Sequence, residues 1–337
     1  MHGDPATDLS GLVDAADVDA LLLAVDELCA RVEWDVLVDL ARRCRDAVEL
    51  GKQLCPVAEH IDYRLAYQAP ARYAAAVLRP GAGRFALGPL TEVAASTHDW
   101  ASLAPHLRDP ASAGAVAQER VIRGEDLTGR APGVPVELSL RLERWEPRYA
   151  LPTYRDRSAT FSHPEIAGRQ LPPPAALRPA PVAPDDALRA LCDVVETWTS
   201  QSSGRVEALA VEGPAEGAVG ALVEEAAIVP IAPAEALALL QWAGASGGAY
   251  GRRRGGAAGR FAAWWAGAAL ARLDWPVQGA GTVFAAALGA GIDKLRWYRW
   301  GTAQPETGWV LRLAVADPAE GRAWALQAVD SRDEGTV

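Results

Sequence analysis

Residues 295–330, LRWYRWGTAQPETGWVLRLAVADPAEGRAWALQAVD, hold the strongest strand pattern of the chain. Three apolar, partly alternating stretches, Leu295–Trp300, Trp309–Val315 and Arg322–Val329, have the length and composition of strands. The segments between them, GTAQPETG and ADPAEG, are rich in turn residues. Short connections of this kind favour antiparallel pairing. These residues therefore predict a three-stranded meander.

The sequence before this meander mixes helical and extended patterns. Pro233 is placed as the first residue of a helix, a position that proline favours. The mixture predicts an α+β domain at residues 185–337 with a short antiparallel sheet. Its expected helices cover about 187–200, 213–224, 233–245 and a stretch that begins between 254 and 261 and ends near 273, and its earlier strands cover 205–211 and 226–231.

Residues 171–184, LPPPAALRPAPVAP, predict a proline-rich, semi-rigid linker. Residues 11–170 before it predict a mainly helical domain. Asp17 precedes an apolar pattern at helical spacing, and similar patterns follow Trp34 and Lys52. The pattern changes after residue 127, so the end of this domain is expected to be an extended tail, in which residues 145–149 and 154–158 are expected to be loop.

Residues 89–125 resemble a HEAT-type repeat, which is a pair of helices joined by a short turn. Leu103 and Leu107 occupy the end of the first helix, Asp109 and Pro110 the turn, and Val121 the second helix. The Val-Arg pair that typically follows the turn is absent. The resemblance implies a stack of helix pairs with a concave surface for a partner. An irregular helical bundle is the alternative that the sequence leaves open.

Two segments of the last quarter, residues 251–271 and 295–330, resemble stretches of uncharacterised actinobacterial proteins of unknown function. This resemblance implies a bacterial source and no particular activity. The composition agrees with it, because Lys52 and Lys294 are the only lysines among 33 basic residues, as expected for a high-GC genome.

The charge and the apolar pattern exclude several classes of protein. The formal net charge is −10, so the basic surface of a nucleic-acid-binding protein is not expected. The first residues have no signal-peptide pattern, and no apolar run reaches the ~18 residues of a membrane span. We therefore expect a cytoplasmic protein without a membrane partner. The four cysteines lack C-x-x-C spacing, so we expect buried thiols, no bound metal and no cofactor.

Residues 244–256, GASGGAYGRRRGG, combine glycines with three adjacent arginines. Arginine presents a planar set of donors to phosphate or carboxylate, glycine permits close approach of the backbone, and a helix start supplies free N–H groups. The predicted anion site comprises Arg252, Arg253, Arg254 and Arg260. The spacing does not match a P-loop. An exposed turn whose arginines pair with surface carboxylates is the alternative.

A second set of polar residues lies in the N-terminal helices. Glu59, His60, Glu92 and His98 are the candidate catalytic residues, because a stack of helices would bring them into one polar cleft. Asp62, Tyr63, Arg64, Asp99 and Glu119 would join them there. Ion pairs and helix caps are the alternative. Glu59 and His60 are adjacent, so their side chains diverge by about 100° on a helix.

Eight of the twelve tryptophans lie between Trp242 and Trp324. Large rings of this kind stabilise the core of a small α+β domain, and this is the favoured interpretation. Aromatic rings combined with arginine also bind nucleobases or carbohydrate, which is the alternative.

The sequence contains no complete catalytic, nucleotide-binding or metal motif. We therefore expect a binding or scaffold protein, with a protein as the first expected partner and an anionic small molecule as the second. The alternative is an enzyme that acts on an anionic small molecule bound at the loop 247–260. An enzyme should show a pocket in which this loop meets a carboxylate or a histidine with a shifted pKa. A scaffold should show a broad apolar surface.

Overall fold

The structure, a computed structural model, describes residues 8–79, 81–134, 137–164, 179–277, 281–302 and 307–331. Contacts between Cα atoms divide the chain into two units. The helical unit comprises Met1–Arg120, Pro132–Pro135 and Pro152–Thr160, and the α+β unit comprises Val121–Ala131, Val136–Leu151 and Phe161–Val337. The predicted fold class, a helical N-terminal part and an α+β C-terminal part, is confirmed.

Helices make up most of the described helical unit. Four of them follow an aspartate, Asp8, Asp17, Asp99 or Asp109, whose side chain accepts a backbone N–H of the first turn. A short antiparallel hairpin pairs β1 (Thr153–Tyr154) with β2 (Ala159–Thr160). The helices are α1 (Leu9–Ala15), α2 (Val18–Ala30), α3 (Trp34–Glu49), α4 (Cys55–Gln68), α5 (Ala71–Val77), α6 (Leu90–Thr97), α7 (Trp100–Leu103), a 3₁₀ turn (Ala104–His106) and α8 (Pro110–Ile122).

The HEAT-like pair expected at 89–125 differs from the observed helices in its first half. Asp109 lies in the turn as expected, and Pro110 begins α8, where Asp109 Oδ2 accepts the N–H of Ser112 at 2.7 Å. The expected first helix consists instead of three short pieces, because Asp99 caps a new helix directly after His98. An irregular helical arrangement describes these residues more closely, and a HEAT-like repeat stays a prediction.

The described α+β unit contains β3 (Pro181–Val182), β4 (Arg205–Glu212), β5 (Ala227–Ile231), β6 (Arg296–Gly301), β7 (Trp309–Asp317) and β8 (Arg322–Asp330). They form one antiparallel sheet in the order β3–β4–β8–β7–β6–β5. The predicted meander is β6–β7–β8, in which Val315 pairs with both Trp297 and Trp324. The sheet is wider than predicted, because β4 pairs with β8 along its whole length and β5 pairs with β6.

The helices of this unit are α9 (Asp186–Val194), α10 (Glu196–Ser200), α11 (Ala215–Leu222), α12 (Pro233–Ala245), α13 (Gly256–Leu270) and α14 (Thr282–Ile292). The two faces of the sheet carry separate cores, because side chains alternate along a strand. Trp297, Val315 and Trp324 lie in the core that α9, α12, α13 and α14 complete. Trp300 and Ala314 lie in the other core, with α11.

Helices α12 and α13 approach closely at small residues. A Cβ atom on Gly259 would lie 2.2 Å from the carbonyl oxygen of Gln241, and one on Gly244 would lie 2.8 Å from Ala262 Cβ. The obstruction at Gly259 is backbone of α12, which cannot rotate away as a side chain can. The glycines and alanines of α13 therefore serve the packing of the two helices.

The boundary between the units differs from the expected division at residues 171–184. Residues 171–178 lie outside the described residues, and Pro181–Val182 form the strand β3 against β4. The central part of the expected extended tail, Val136–Leu151, belongs to the α+β unit. The reason is a buried ion pair between Glu146 of this segment and Arg260 of α13.

Among the helices that the structure describes, none is both long and apolar enough to cross a membrane. The same residues contain no group of three or more His, Cys, Asp or Glu side chains placed to hold a metal ion. All four cysteines are free, and Cys29 and Cys44 are buried.

We expect the thiols of Cys29 and Cys44 to react slowly in the native protein. Burial raises the pKa of Cys44 to about 11 and also raises the pKa of Cys29, whereas the reactive form is the thiolate. Labelling with an aromatic disulfide, resolved by peptide mass spectrometry, measures each rate. The control is the same reaction in denaturant, where all thiols are accessible. Rapid labelling of either residue in the native protein contradicts this prediction.

Candidate functional site

The loop between α12 and α13 carries the three adjacent arginines of the predicted anion site. It folds back on itself, since the N–H of Arg254 donates to the carbonyl oxygen of Ala245 at 2.8 Å. A Cβ atom on Gly247 would lie 2.1 Å from the carbonyl oxygen of Arg252. The glycine at 247 is therefore required by the loop's own backbone.

A carboxylate of the protein itself binds this loop. Asp330, which is 1% exposed at the end of β8, accepts the N–H of Ala249 at 2.6 Å. The N–H of Tyr250 donates to Ser202 Oγ at 2.9 Å. Gly248 leaves room for the carboxylate, because its Cβ would lie 2.2 Å from Asp330 Oδ2. Two amides that a glycine-rich loop would offer to an anion are therefore already bonded within the protein.

The four arginines of the predicted site have different surroundings. Arg252 and Arg254 are exposed, and the guanidinium of Arg253 lies 4.6 Å from the ring centre of Phe161. Arg260 is fully buried, and its Nη2 lies 2.7 Å from Glu146 Oε2. The guanidinium of Arg260 is thus not available to a ligand. Anion binding by Arg252, Arg253 and Arg254 stays a prediction.

The Arg260–Glu146 pair lies in a buried hydrogen-bond network. Arg260 also donates to the carbonyl oxygens of Ser139 and Arg141, at 2.9 Å each. Trp264 Nε1 donates to Glu146 Oε1 at 2.8 Å. Burial by itself raises the pKa of Glu146, but the hydrogen bonds and charge of Arg260 outweigh it and hold the pKa below its ordinary value. The network explains why this segment folds with the α+β unit.

Two candidate catalytic residues, Glu59 and Glu92, are hydrogen-bonded within the helical unit. Glu59 accepts the N–H of Phe85. Glu92 is fully buried and accepts the hydroxyl of Tyr154 at 2.6 Å. Gly88 makes room for this tyrosine, because its Cβ would lie 2.2 Å from the hydroxyl oxygen. A role in holding the fold accounts for both carboxylates.

The two candidate histidines, His60 and His98, differ in their hydrogen bonding. The ring nitrogens of His98 lie 3.1 Å from the carbonyl oxygen of Ala94 and 2.9 Å from that of Ala69, as in a helix cap. His60 Nε2 is buried and has no hydrogen-bond partner among the described residues. Burial, followed by the charge of Arg64, lowers the pKa of His60. A catalytic role for Glu59, His60, Glu92 and His98 stays a prediction.

A cavity of about 760 Å³ opens in the helical unit at α2, α4 and the turn between β1 and β2, and we call it the arginine groove. Its volume lies in the range of small-molecule sites. It is lined by Asp26, Cys29, Ala30, Trp34, Arg64, Tyr67, Gln68, Arg155, Asp156 and Arg157.

Arg64 is the buried charge of the arginine groove, with a side chain that is 3% exposed. Its Nε and Nη2 donate to Gln68 Oε1 at 3.0 and 2.9 Å. Its Nη1 pairs with Asp26, and its Nη2 lies 3.5 Å from Asp156 Oδ2. Arg157 pairs with Asp26 as well. Burial raises the pKa of Asp26, but the two arginines outweigh it and lower this pKa. Arg64 and Arg157 are thus matched by two aspartates.

Arg155, the third arginine of the groove, has no carboxylate partner among the residues that the structure describes. Its side chain is exposed and makes no ion pair or hydrogen bond with any residue that the structure describes. Its backbone is fixed, since its carbonyl oxygen accepts the hydroxyl of Tyr63 and its N–H donates to the carbonyl oxygen of Ser158 at 2.8 Å. The groove therefore holds one positive charge without a carboxylate, on an anchored backbone.

The sequence indicates a polar site for Arg64 but not for Arg155 or Arg157, because the pattern of residues 154–158 (YRDRS) predicts a loop. The available signal is the alternation of arginine and aspartate in a tight turn between two extended dipeptides. Which helices such a turn faces depends on tertiary contacts, and the sequence does not reveal these.

Comparison with known proteins gives one match. The model of a family described as "Family of unknown function (DUF6183)" matches residues 19–332. The match covers nearly the whole chain, whereas the sequence had suggested a resemblance in the last quarter only. No curated protein and no solved structure matches the chain.

Proposed function

We propose that this chain, which belongs to the DUF6183 family, is a binding protein whose helical unit holds a small anionic ligand in the arginine groove. The observation that carries the proposal is Arg155, an exposed guanidinium at a cavity of about 760 Å³ with no carboxylate to balance it. Guanidinium groups bind carboxylate and phosphate through paired, charge-assisted hydrogen bonds.

The paired charges around Arg155 support the same ligand class. Asp26 and Asp156 are occupied by Arg64 and Arg157, so they do not cancel the charge of Arg155. An anion that enters the groove meets a net positive charge on a backbone that is already ordered. Little ordering is then required on binding, which favours affinity.

The remaining lining residues indicate the rest of the ligand. Trp34 and Tyr67 contribute aromatic surface, and Cys29 and Ala30 contribute apolar surface. Flat rings pack well on aromatic side chains. We infer a carboxylate or a phosphate ester carried on a flat ring.

The alternative, an enzyme that binds its anionic substrate at the loop 247–260, has less support. Asp330 and Ser202 accept the amides of Ala249 and Tyr250, and Arg260 pairs with Glu146. A scaffold role with a protein partner rests on the helical composition of the first unit alone. We therefore place the small-molecule site first.

We further propose that the protein comes from a high-GC bacterium and lies in the cytoplasm. Two lysines among 33 basic residues fit a high-GC bacterial genome. The four cysteines are free thiols, as is usual for proteins of the reducing cytoplasm, and this favours a cytoplasmic location.

We expect phenyl phosphate and benzoate to raise the melting temperature of the protein. A ligand at about 100 times its Kd stabilises the folded state by about 2.7 kcal/mol, which corresponds to a rise of roughly 10 °C for a unit of this size. Benzyl alcohol carries the same ring without a charge, and we expect no comparable rise with it. Differential scanning fluorimetry measures all three.

The variant Arg155→Gln tests the site, and Arg42→Gln is its control. Arg42 is also exposed in the helical unit, but it already pairs with Asp39 and Asp46. The rise in melting temperature with phenyl phosphate and benzoate should disappear in Arg155→Gln and persist in Arg42→Gln. An equal rise in wild type and Arg155→Gln, or no rise with either anion, contradicts the proposed function.

A further inference from the structure

We infer a second binding site, in the α+β unit, that takes an organic cation on two tryptophan rings beside an unpaired carboxylate. The site shares no residue with the arginine groove. Either site can therefore fail its test without affecting the other.

The site is a cavity of about 490 Å³ at the end of α13, the start of α9 and the start of β8, and we call it the tryptophan pocket. Trp265 belongs to α13, and the turn that follows this helix contributes Arg272, Asp274 and Trp275. A cavity of this size accommodates a small organic molecule.

Two indole rings supply the aromatic surface of the pocket. The ring centres of Trp265 and Trp275 lie 5.4 Å apart, with an angle of 55° between the planes. Phe261 stacks on Trp265 at 6.3 Å, and Phe284 packs edge-on against Trp275 at 5.3 Å, so each indole is held by a phenylalanine. Trp265 nevertheless remains 39% exposed. A supported and accessible indole face attracts cations.

The charges of the pocket favour a cation as well. Arg322 is neutralised by Asp185, with Nε 3.0 Å from Oδ2, although Nε is not aligned for a hydrogen bond. Arg272 is neutralised by Glu320, with Nη1 2.9 Å from Oε2. Asp274 is exposed and has no ion pair or hydrogen bond with any described residue. One carboxylate is thus left over beside the two indoles.

The other carboxylates of the pocket already have partners. Asp186 pairs with Arg189 on the surface at 2.5 Å. Asp185 accepts Trp324 Nε1 at 3.0 Å in addition to its pair with Arg322. Asp274 is therefore the group that a ligand charge would meet.

A tight turn fixes the position of Asp274 and Trp275. Arg272 has a φ of +56°, a left-handed conformation that glycine usually occupies at a helix end. The N–H groups of Arg272 and Leu273 donate to the carbonyl oxygens of Ala269 and Ala268, at 3.1 and 2.9 Å. The two ligand-facing residues follow directly after this closed helix end.

A trimethylammonium group matches these features. Its methyl groups offer apolar surface to the rings, and its diffuse charge suits both the indole faces and a carboxylate. The same group occurs in a free molecule such as choline and in the side chain of trimethyllysine in a protein. The shared chemistry is the proposal, and the experiment separates the two sources.

Isothermal titration of the full chain with choline and with 3,3-dimethylbutan-1-ol tests the charge. The alcohol has the same shape without the charge, so we expect it to bind roughly tenfold more weakly. A third titration uses capped trimethyllysine. Tighter binding than choline assigns the site to a protein side chain, and the reverse order assigns it to a free small molecule. Both results support the cation site.

Two variants and one control locate the site. Asp274→Asn and Trp265→Leu should each weaken the binding of choline roughly fivefold. Asp274 is exposed and unbonded, so Asp274→Asn keeps the test valid if Trp265→Leu disturbs folding. Asp293→Asn removes another exposed carboxylate of the unit and should leave binding unchanged. Equal affinity for choline and the alcohol, an unchanged affinity in Asp274→Asn, or no binding of either cation overturns the inference.

Discussion

We expect the exchange Glu146→Gln to lower the free energy of unfolding by about 3–5 kcal/mol. Arg260 remains charged and fully buried, and it loses the carboxylate that lies 2.7 Å from its Nη2. A buried charge without a counter-ion is strongly unfavourable. Chemical denaturation of wild type and variant, followed by circular dichroism, measures the difference.

An exposed ion pair of the same unit provides the control. Asp186 pairs with Arg189 at the surface, so Asp186→Asn should change the free energy of unfolding by less than about 1 kcal/mol. The double variant Glu146→Leu with Arg260→Met removes both buried charges and should cost less than Glu146→Gln alone. If Glu146→Gln unfolds at the same denaturant concentration as wild type, the pair does not hold Val136–Leu151 in the α+β unit.

The Glu146–Arg260 pair also makes the stability of the protein depend on pH. The pKa of Glu146 in the folded protein lies below its ordinary value of 4.5. Its contribution to stability is therefore complete above about pH 4.5 and is lost as the pH falls through the lowered pKa. In this acidic range, the stability of wild type should fall more steeply with pH than that of Glu146→Gln.

The second large effect is expected at Gly259. Alanine at this position should lower the free energy of unfolding by about 1–3 kcal/mol, because its Cβ would lie 2.2 Å from the carbonyl oxygen of Gln241. The backbones of α12 and α13 must separate to relieve this contact. Denaturant unfolding of Gly259→Ala measures the effect.

Gly267, in the same helix, is the matched control. Its Cβ would lie 3.1 Å from Ile292 Cδ1, the end of a flexible side chain. Alanine also forms helix more readily than glycine, by up to about 1 kcal/mol. Gly267→Ala should therefore be neutral or stabilising. Equal destabilisation by both exchanges would show that loss of glycine, and not the close approach of the helices, is responsible.

The strands that the sequence predicts are those with local signals. Alternating apolar residues and turn-rich connections located β6, β7 and β8, and β4 and β5 also lie where extended patterns were expected. The order of the strands in the sheet could not be predicted from the sequence. The pairing of β4 with β8 joins residues more than 100 positions apart, and no local pattern encodes such a contact.

The role of Arg260 likewise depends on a long-range contact that local sequence patterns do not reveal. Its neighbours in sequence, three arginines and several glycines, suggested an anion site. Its partner in the fold, Glu146, lies 114 residues away in a segment that was expected to be loop. One signal was present, because an arginine on the otherwise apolar helix α13 requires a buried acceptor. That signal indicates the need for a carboxylate but does not identify which one.

Little of the arginine groove could be predicted from the sequence. Arg64 was expected in a polar cleft with Glu59, His60, Glu92 and His98, but none of these four residues lines the groove. The unmatched charge of Arg155 becomes visible only when the partners of Arg64 and Arg157 are known. A site defined by a missing partner requires the tertiary structure.

A crystal structure of the protein soaked with 4-iodobenzoate gives the sharpest test of anion binding at Arg155. This probe joins a carboxylate to a flat ring, and the anomalous signal of iodine reports its position. We predict the strongest iodine peak in the arginine groove, with the carboxylate in hydrogen-bond contact with the Arg155 guanidinium. A groove without an iodine peak, with the probe bound instead at Arg252, Arg253 and Arg254, would contradict the claim.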